Sequence, residues 1–185
     1  MMSFEAVHNL NVFLGIGIII IQFFSVLALF ILFFGPKKNS FLDFIDKHFL
    51  ILGFLISLFS ALFSMVYSEI VGFLPCMLCW YQRIFIFPQV FLFGMALWNK
   101  DRKVIHYSIP LLLVGFVISA YQVLVYYFTE SSTLPCDASG VSCYQHLVSE
   151  FGGYISIPMM GLTVFISMLA LVSVVHFYGK RKLLD

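Results

Sequence analysis

The chain has 185 residues, of which 62% are hydrophobic, 18% are aromatic and only 10% are charged, whereas a water-soluble domain has about 25% charged residues. This composition excludes an ordinary soluble globular protein. Ten Lys and Arg residues nearly balance nine Asp and Glu residues, so the chain has no excess of positive charge for binding nucleic acid. The class that remains is a polytopic membrane protein.

Five apolar blocks follow one another along the chain, and they cover residues 11–34, 49–73, 80–98, 104–128 and 155–178. Each block has about the twenty residues or more that one helical crossing of a bilayer needs. Backbone amides in lipid need partners within their own segment, and the blocks are too long and too uniformly apolar for barrel strands. The sequence therefore predicts an all-α integral membrane protein with five transmembrane helices.

The first block raises the alternative of a cleaved signal peptide. Residues 1–10 contain Glu5 and neither Lys nor Arg, whereas a signal peptide begins with basic residues. The block is also longer than the apolar core of a normal signal peptide. We therefore expect the first helix to be retained.

Basic residues are unevenly distributed among the segments that connect the blocks. Nine of the ten follow the first, third and fifth blocks: Lys37, Lys38, Lys47, Lys100, Arg102, Lys103, Lys180, Arg181 and Lys182. The N-terminal segment and the other two connections have no Lys or Arg, and they carry Glu5, Glu130, Asp137 and Glu150. Because basic loops remain on the cytoplasmic side, this pattern predicts an external N-terminus and a cytoplasmic C-terminus.

All four cysteines fall in segments that the charge pattern assigns to the outer face: Cys76, Cys79, Cys136 and Cys143. The outside of a cell membrane is an oxidising environment and the number of cysteines is even, so two disulfides are expected. The sequence leaves open whether these bonds are structural or take part in redox chemistry.

The first cysteine pair forms a Cys-x-x-Cys motif where an outer loop enters the third helix. Pro75 suits a helix start, because its missing N–H would have no partner there. The helix N-terminus favours an anion, and therefore the thiolate form of Cys76. Arg83 follows Cys79 by four residues and so lies one turn further along the same face, where its charge is available to a thiolate or a bound acceptor. The alternative is that Arg83 reaches the lipid headgroups.

The second pair, Cys136 and Cys143, lies in the one long outer loop, where Asp, Ser and Gly residues favour a turn. A bond between them closes a small ring and stabilises the fold less than a larger ring would, which favours an exchangeable bond. The segment from Phe128 to Cys136 spans at most about 25 Å when extended, which is enough for Cys136 to reach Cys76. A zinc site is disfavoured, because the second spacing is wide for a zinc motif and the oxidising face disfavours free thiolates.

Residues 76–83, Cys-Met-Leu-Cys-Trp-Tyr-Gln-Arg, resemble the Cys-x-x-Cys-x-Tyr-[Glu/Gln]-Arg motif of the disulfide bond formation protein B (DsbB) family, and in particular its short, BdbC-like branch. The second cysteine pair and residues 151–158, Phe-Gly-Gly-Tyr-Ile-Ser-Ile-Pro, also resemble the family. The resemblance implies that residues 49–185 form a DsbB-like four-helix transmembrane bundle. Residues 1–48 would then contribute one extra N-terminal transmembrane helix and a basic cytoplasmic loop.

The resemblance also implies a quinone-linked thiol oxidase of the bacterial cytoplasmic membrane. Such a protein reoxidises an external thioredoxin-fold disulfide donor of the DsbA type and passes the electrons to ubiquinone or menaquinone, a relay that keeps the bacterial periplasm oxidising. The donor would attack Cys136, whose partner is Cys143, and electrons would then pass to Cys76 and Cys79. Cys79 would face the quinone, and Arg83 would stabilise the charge that develops there. No metal is implied.

Two other functions remain as alternatives. The vitamin K epoxide reductase family also combines a Cys-x-x-Cys motif with two loop cysteines, but its loop pair comes first in the sequence. A membrane scaffold with two structural disulfides is the non-enzymatic alternative, although a scaffold gives no reason for Arg83 beside Cys79. The chain also departs from the DsbB pattern in two ways. Its loop cysteines are closely spaced, and Tyr121 and Gln122 stand near the position of a histidine in the BdbC-like branch.

Overall fold

The computed structural model describes residues 4–36, 38–128, 148 and 151–184, and within these ranges every regular element is helical. The five α-helices are α1 (Phe4–Phe34), α2 (Ser40–Met65), α3 (Met77–Asn99), α4 (Val104–Phe128) and α5 (Ile157–Leu184), and a π-helical turn, Val66–Ile70, continues α2. The predicted all-α architecture is confirmed.

α2 begins well before the apolar block that predicts it, so the expected basic loop up to residue 48 is helical from Ser40 onward. Asn39 caps the helix, because its side chain accepts a hydrogen bond of 2.8 Å from the backbone N–H of Phe41. Asp43 lies in the first turn, where a negative charge is favourable. Hydropathy marks where lipid begins rather than where a helix begins, so the pattern misses these polar first turns.

Helices α2 to α5 form a closed bundle in which α3 packs against α2 and α4, and α5 packs against α4 and α2. α1 lies outside this ring, mainly against α5. Two glycines allow close helix contacts: the ring of Phe93 fills the space that a Cβ on Gly53 would need, and Phe165 does the same at Gly115. Small residues commonly bring helices together in membranes, where lipid provides no hydrophobic drive for association.

Among the described residues, four helical segments are long and apolar enough to cross a bilayer: Glu5–Phe34, Ser40–Ile70, Val104–Phe128 and Ile157–Gly179. α3 has 23 residues, which is also enough for a crossing, but it carries several polar side chains. Two of them, Arg83 and Gln89, are buried inside the bundle, whereas Ile84, Phe91 and Met95 are exposed on its surface. The bundle therefore presents a lipid-compatible exterior around a partly polar interior, as a multi-pass membrane protein does.

The basic loops and the Cys-x-x-Cys motif lie at opposite ends of the bundle. At one end Arg102 forms an ion pair with Asp46, and its guanidinium carbon lies 4.7 Å from the centre of the Phe49 ring. α3 begins at the other end, with Cys76 as its N-cap residue. Its 23 residues span about 34 Å at 1.5 Å per residue. The helices thus separate the basic loops from this cysteine pair by about the thickness of a bilayer.

Candidate active site

Cys76 and Cys79 lie together at the start of α3. Cys76 is the N-cap residue and is buried, and Cys79 lies in the first turn and is partly exposed. Their sulfur atoms are 3.3 Å apart. Side chains three residues apart are neighbours on one face of a helix, so the Cys-x-x-Cys spacing produces a pair of thiols positioned to form a disulfide.

The end of α2 directs the chain toward this cysteine pair. α2 continues into the π-helical turn Val66–Ile70, and Gly72 then adopts a left-handed conformation with a φ of 87°, which few other residues adopt without strain. The backbone N–H of Phe73 donates to the carbonyl of Tyr67 at 3.0 Å and closes the helix end. π-helical turns are frequent at functional sites, and here the turn lies just before Cys76.

Gln122 on α4 contacts both sulfur atoms. Its Nε2 atom donates to Sγ of Cys76 at 3.5 Å and to Sγ of Cys79 at 3.4 Å. Its Oε1 atom accepts a hydrogen bond of 2.5 Å from Nε2 of Gln82, and this bond orients the amide with its N–H groups toward the sulfurs. Since hydrogen bonds donated to a thiolate stabilise its charge, Gln122 is placed to support the ionised form of either cysteine.

The sequence alone does not assign a role to Gln122. The available signals are a polar residue in the middle of an apolar block and its place near the histidine of the BdbC-like branch. The structure adds that Gln122 is only 2% exposed. Its partner Gln82 packs against Gly161 of α5, where a Cβ would collide with the Gln82 amide oxygen. The two glutamines therefore link α3, α4 and α5 directly beneath the cysteines.

Arg83 is buried in the bundle and is held by α2. It is 7% exposed, its Nε donates to Oγ of Ser64 at 2.8 Å, and its Nη2 donates to the Ser64 carbonyl at 2.7 Å. Its guanidinium carbon also lies 5.1 Å from the centre of the Trp80 ring, within the range of a cation–π contact. These contacts direct the charge into the protein interior, so the alternative in which Arg83 reaches the lipid headgroups does not fit.

A cavity of about 630 Å³ opens beside the cysteine pair. One part of its wall is polar and contains Cys76, Cys79, Gln82, Arg83 and Gln122. The rest is predominantly apolar and comes mainly from α1, α2 and α5. Ligand sites commonly combine a mostly apolar pocket with a few convergent polar groups, and this cavity has that composition.

The second cysteine pair, Cys136 and Cys143, lies outside the described residues. The structure therefore brings together three of the five site residues expected from the sequence, namely Cys76, Cys79 and Arg83. Within the described ranges, no group of three or more His, Cys, Asp or Glu side chains is arranged to hold a metal ion.

Comparison with known proteins gives the family of this chain. A family model described as disulfide bond formation protein DsbB matches residues 46–177. The chain belongs to the DsbB family. The expectation from the octapeptide at residues 76–83 is thereby confirmed, and the match favours DsbB over the vitamin K epoxide reductase alternative.

Individual DsbB-related proteins agree with this assignment. The chain is 35% identical over 127 residues to probable disulfide formation protein C 2 of Bacillus anthracis, and the alignment covers 69% of this chain and 89% of that protein. It is 37% identical over 123 residues to disulfide bond formation protein C of Bacillus subtilis strain 168, with coverage of 64% and 85%. No solved structure significantly matches the chain.

Membership of the DsbB family gives the chain a role in disulfide bond formation, as a protein-disulfide oxidoreductase of a bacterial membrane. The matched residues include the cysteine pair, Arg83 and Gln122, together with most of α2 and all of α3 and α4. α1 precedes the matched residues.

Proposed function

We propose that this DsbB-family protein is a thiol:quinone oxidoreductase that reoxidises an external thioredoxin-fold donor of the DsbA type. The observation that carries the proposal is the close pair of Cys76 and Cys79, whose sulfur atoms lie 3.3 Å apart in the wall of a largely apolar cavity that also includes the buried cation of Arg83. A static disulfide in a scaffold requires neither a cavity nor a buried charge beside it.

The cavity residues fit a lipid-soluble quinone, either ubiquinone or menaquinone. Its apolar walls suit the ring and the side chain, and Arg83 and Gln82 provide N–H donors of the kind that quinone carbonyl oxygens accept. Cys79, the more accessible cysteine of the pair, shares this wall. A quinone bound here would accept the two electrons and two protons that the dithiol releases when it forms a disulfide.

The residues of the chain have distinct roles in this oxidation. Cys79 faces the acceptor, and Cys76 forms the new disulfide with it. Arg83 supplies a permanent positive charge that stabilises the negative charge developing beside Cys79. Gln122 donates hydrogen bonds to the sulfurs, and the surrounding apolar side chains limit the access of water.

The loop cysteines connect this site to the external donor. The donor thiolate attacks Cys136, Cys143 leaves, and the reduced pair is reoxidised by exchange with the Cys76–Cys79 disulfide. Each exchange breaks one disulfide and forms one, so the two electrons pass from the donor to the loop pair, then to the pair on α3, and finally to the quinone.

The proposed orientation places the N-terminus outside the cytoplasmic membrane and the C-terminus in the cytoplasm. It is supported by the separation of the basic loops from the Cys-x-x-Cys pair along the helices and by the tendency of basic loops to remain cytoplasmic. In the proposed arrangement, residues 49–185 form the catalytic membrane domain, and residues 1–48 add the N-terminal helix and the segment that follows it.

The test is quinone reduction by the purified full-length protein in detergent, supplied with a reduced thioredoxin-fold donor. Wild type is expected to turn over, and Cys79→Ser and Cys136→Ser are each expected to stop turnover, because each breaks one disulfide of the relay. Met77→Ser is the matched control, since Met77 lies between the two cysteines but points partly outward. A wild-type protein that neither reduces quinone nor exchanges disulfides with the donor would support the scaffold alternative instead.

A further inference from the structure

α1 forms part of the wall of the cavity, although it precedes the residues that match the DsbB family. Its contribution includes Phe13, Leu14, Gly17, Ile20 and Ile21. Opposite it are side chains of α2 and α5, and the helices of the matched region provide all the polar groups of the cysteine wall. α1 therefore supplies apolar surface to the cavity and none of the polar or reactive side chains near the cysteines.

Hydrogen bonds fix α1 against the bundle on both sides of this wall. Toward the cysteine end, the hydroxyl of Tyr67 donates to Oδ1 of Asn11 at 2.7 Å, and Asn11 is 4% exposed. Eleven residues further along α1, Nε2 of Gln22 donates to Oγ1 of Thr163 on α5 at 2.7 Å. Polar contacts between helices stabilise membrane bundles, so α1 is held in a defined position across the cavity.

Gly17 lies between these two attachment points and borders open space. Apart from the adjacent backbone of α1 itself, a Cβ placed on Gly17 would have no described heavy atom within 4 Å, whereas a Cβ on Gly15 would meet the ring of Phe151 at 2.9 Å. Gly15 therefore allows close packing, and Gly17 leaves the cavity open. A large side chain at position 17 has room to enter that space without displacing the backbone.

The cavity also extends away from the cysteines along the helices. On α2 its lining runs from Tyr67, near the cysteine end, to Leu55, a distance of about 18 Å along the helix axis. The remote part is bordered by Ile20 and Ile21 of α1. A quinone ring at the cysteines would occupy only the near end, and the remaining space is elongated and apolar.

We propose that α1 completes a subsite for the isoprenoid side chain of the quinone, with Gly17 providing the space for that chain. This inference rests on the proposed quinone-linked function and adds to it a binding role for the helix that precedes the family match. The ring binds at Cys79 and Arg83, and the side chain extends between α1, α2 and α5. Affinity for the ring and affinity for the side chain therefore depend on different residues.

The experiment measures equilibrium binding of two quinones with the same headgroup, one without a side chain and one with a short isoprenoid side chain. Binding to the purified full-length protein is followed by quenching of tryptophan fluorescence, because Trp80 lies against Arg83. Wild type is expected to bind the quinone with the side chain more tightly. Gly17→Phe is expected to weaken that binding about tenfold, equivalent to the loss of about two buried methylene groups, while binding of the headgroup alone changes little.

The control is Val26→Phe, which places the same aromatic side chain on α1 at a position that is 64% exposed and outside the cavity lining. It is expected to bind both quinones as wild type does. Gly17→Leu is expected to cause a smaller loss than Gly17→Phe, which provides a graded series if the larger substitution disturbs folding.

Three results would overturn the subsite. They are equal affinity of wild type for the two quinones, wild-type binding by both Gly17 variants, and an equal loss for both quinones in both variants. In the first case the headgroup still binds, so the quinone-linked function stands without the subsite. If wild type binds neither quinone, the quinone-linked function itself fails, and the two failures are thus distinguished.

Discussion

Gln122 contacts both sulfur atoms of the candidate active site, and its amide N–H groups are placed to stabilise a thiolate there. Gln122→Met keeps a similar shape but removes these donors. We expect the reduced Cys76–Cys79 pair to react about tenfold more slowly with an alkylating reagent at neutral pH, because a hydrogen bond to a charged group is worth about 1.5 kcal/mol. The rate is measured in a protein whose loop cysteines are replaced by Ser.

Gln89 provides a matched control on α3. Its side chain is fully buried and, among the described residues, both of its polar atoms lack a hydrogen-bond partner. Gln89→Met therefore makes the same chemical change away from the cysteines and should leave the alkylation rate unchanged. Equal rates for Gln122→Met and wild type would show that the Gln122 contacts do not stabilise a thiolate.

Arg83 is the buried positive charge of the candidate site. A thiol becomes negative when it loses its proton, so removal of a nearby positive charge makes that loss less favourable. We expect Arg83→Ala to shift the alkylation profile of Cys79 to higher pH by about one unit, or about 1.4 kcal/mol, in a protein whose other cysteines are Ser. Arg83→Lys should show a smaller shift, because it keeps the charge but loses the planar group that bonds Ser64 at two points.

Arg102→Ala removes a basic residue from the opposite end of the bundle and should leave the Cys79 profile unchanged. If Arg83→Ala has the wild-type profile, Arg83 has no electrostatic role at the sulfur. Its contacts with Ser64 and Trp80 would then serve only the packing of α3 against α2.

At the scale of the helices, the sequence predicts that each helix exists, and how many there are, better than it predicts the residues at which they begin and end. Long apolar blocks identify all five helices because lipid requires both helical hydrogen bonding and apolar side chains. The start of α2 depends on the Asn39 cap, and its end depends on the π-helical turn and Gly72. These features arise from local backbone hydrogen bonds, which an average over apolar residues does not detect.

The residues of the candidate site also form two groups, those that the sequence predicts and those that it does not. The Cys-x-x-Cys-x-Tyr-Gln-Arg spacing predicts a cysteine pair with a cation one turn away, because all of these residues lie on one helix. Gln122 and Ser64 lie on neighbouring helices, and their contacts depend on how α2 and α4 are rotated against α3. The cavity beside α1 is also a product of three helices. A single sequence contains no direct signal for such rotations.

The whole molecule has two chemically different ends, and this asymmetry links its charges to its redox chemistry. Disulfide exchange requires access to an oxidising compartment, whereas Lys and Arg near helix ends favour the cytoplasm. If the Cys-x-x-Cys pair and the basic loops lay at the same end of the bundle, only one of the two would be on the side of the membrane that suits it. Their separation along α3 is what the proposed orientation requires, in which electrons enter from outside and the basic loops lie inside.

The proposed orientation of the bundle rests on this asymmetry and can be tested in intact cells. Leu74 is 71% exposed near the start of α3, and Lys100 follows the end of the same helix. Leu74→Cys and Lys100→Cys are each placed in a protein whose four native cysteines are Ser, and spheroplasts are treated with a membrane-impermeant maleimide. Cys at 74 should be labelled in intact spheroplasts, and Cys at 100 only after permeabilisation. The reverse pattern would place the Cys-x-x-Cys motif in the cytoplasm and remove the basis for an external donor.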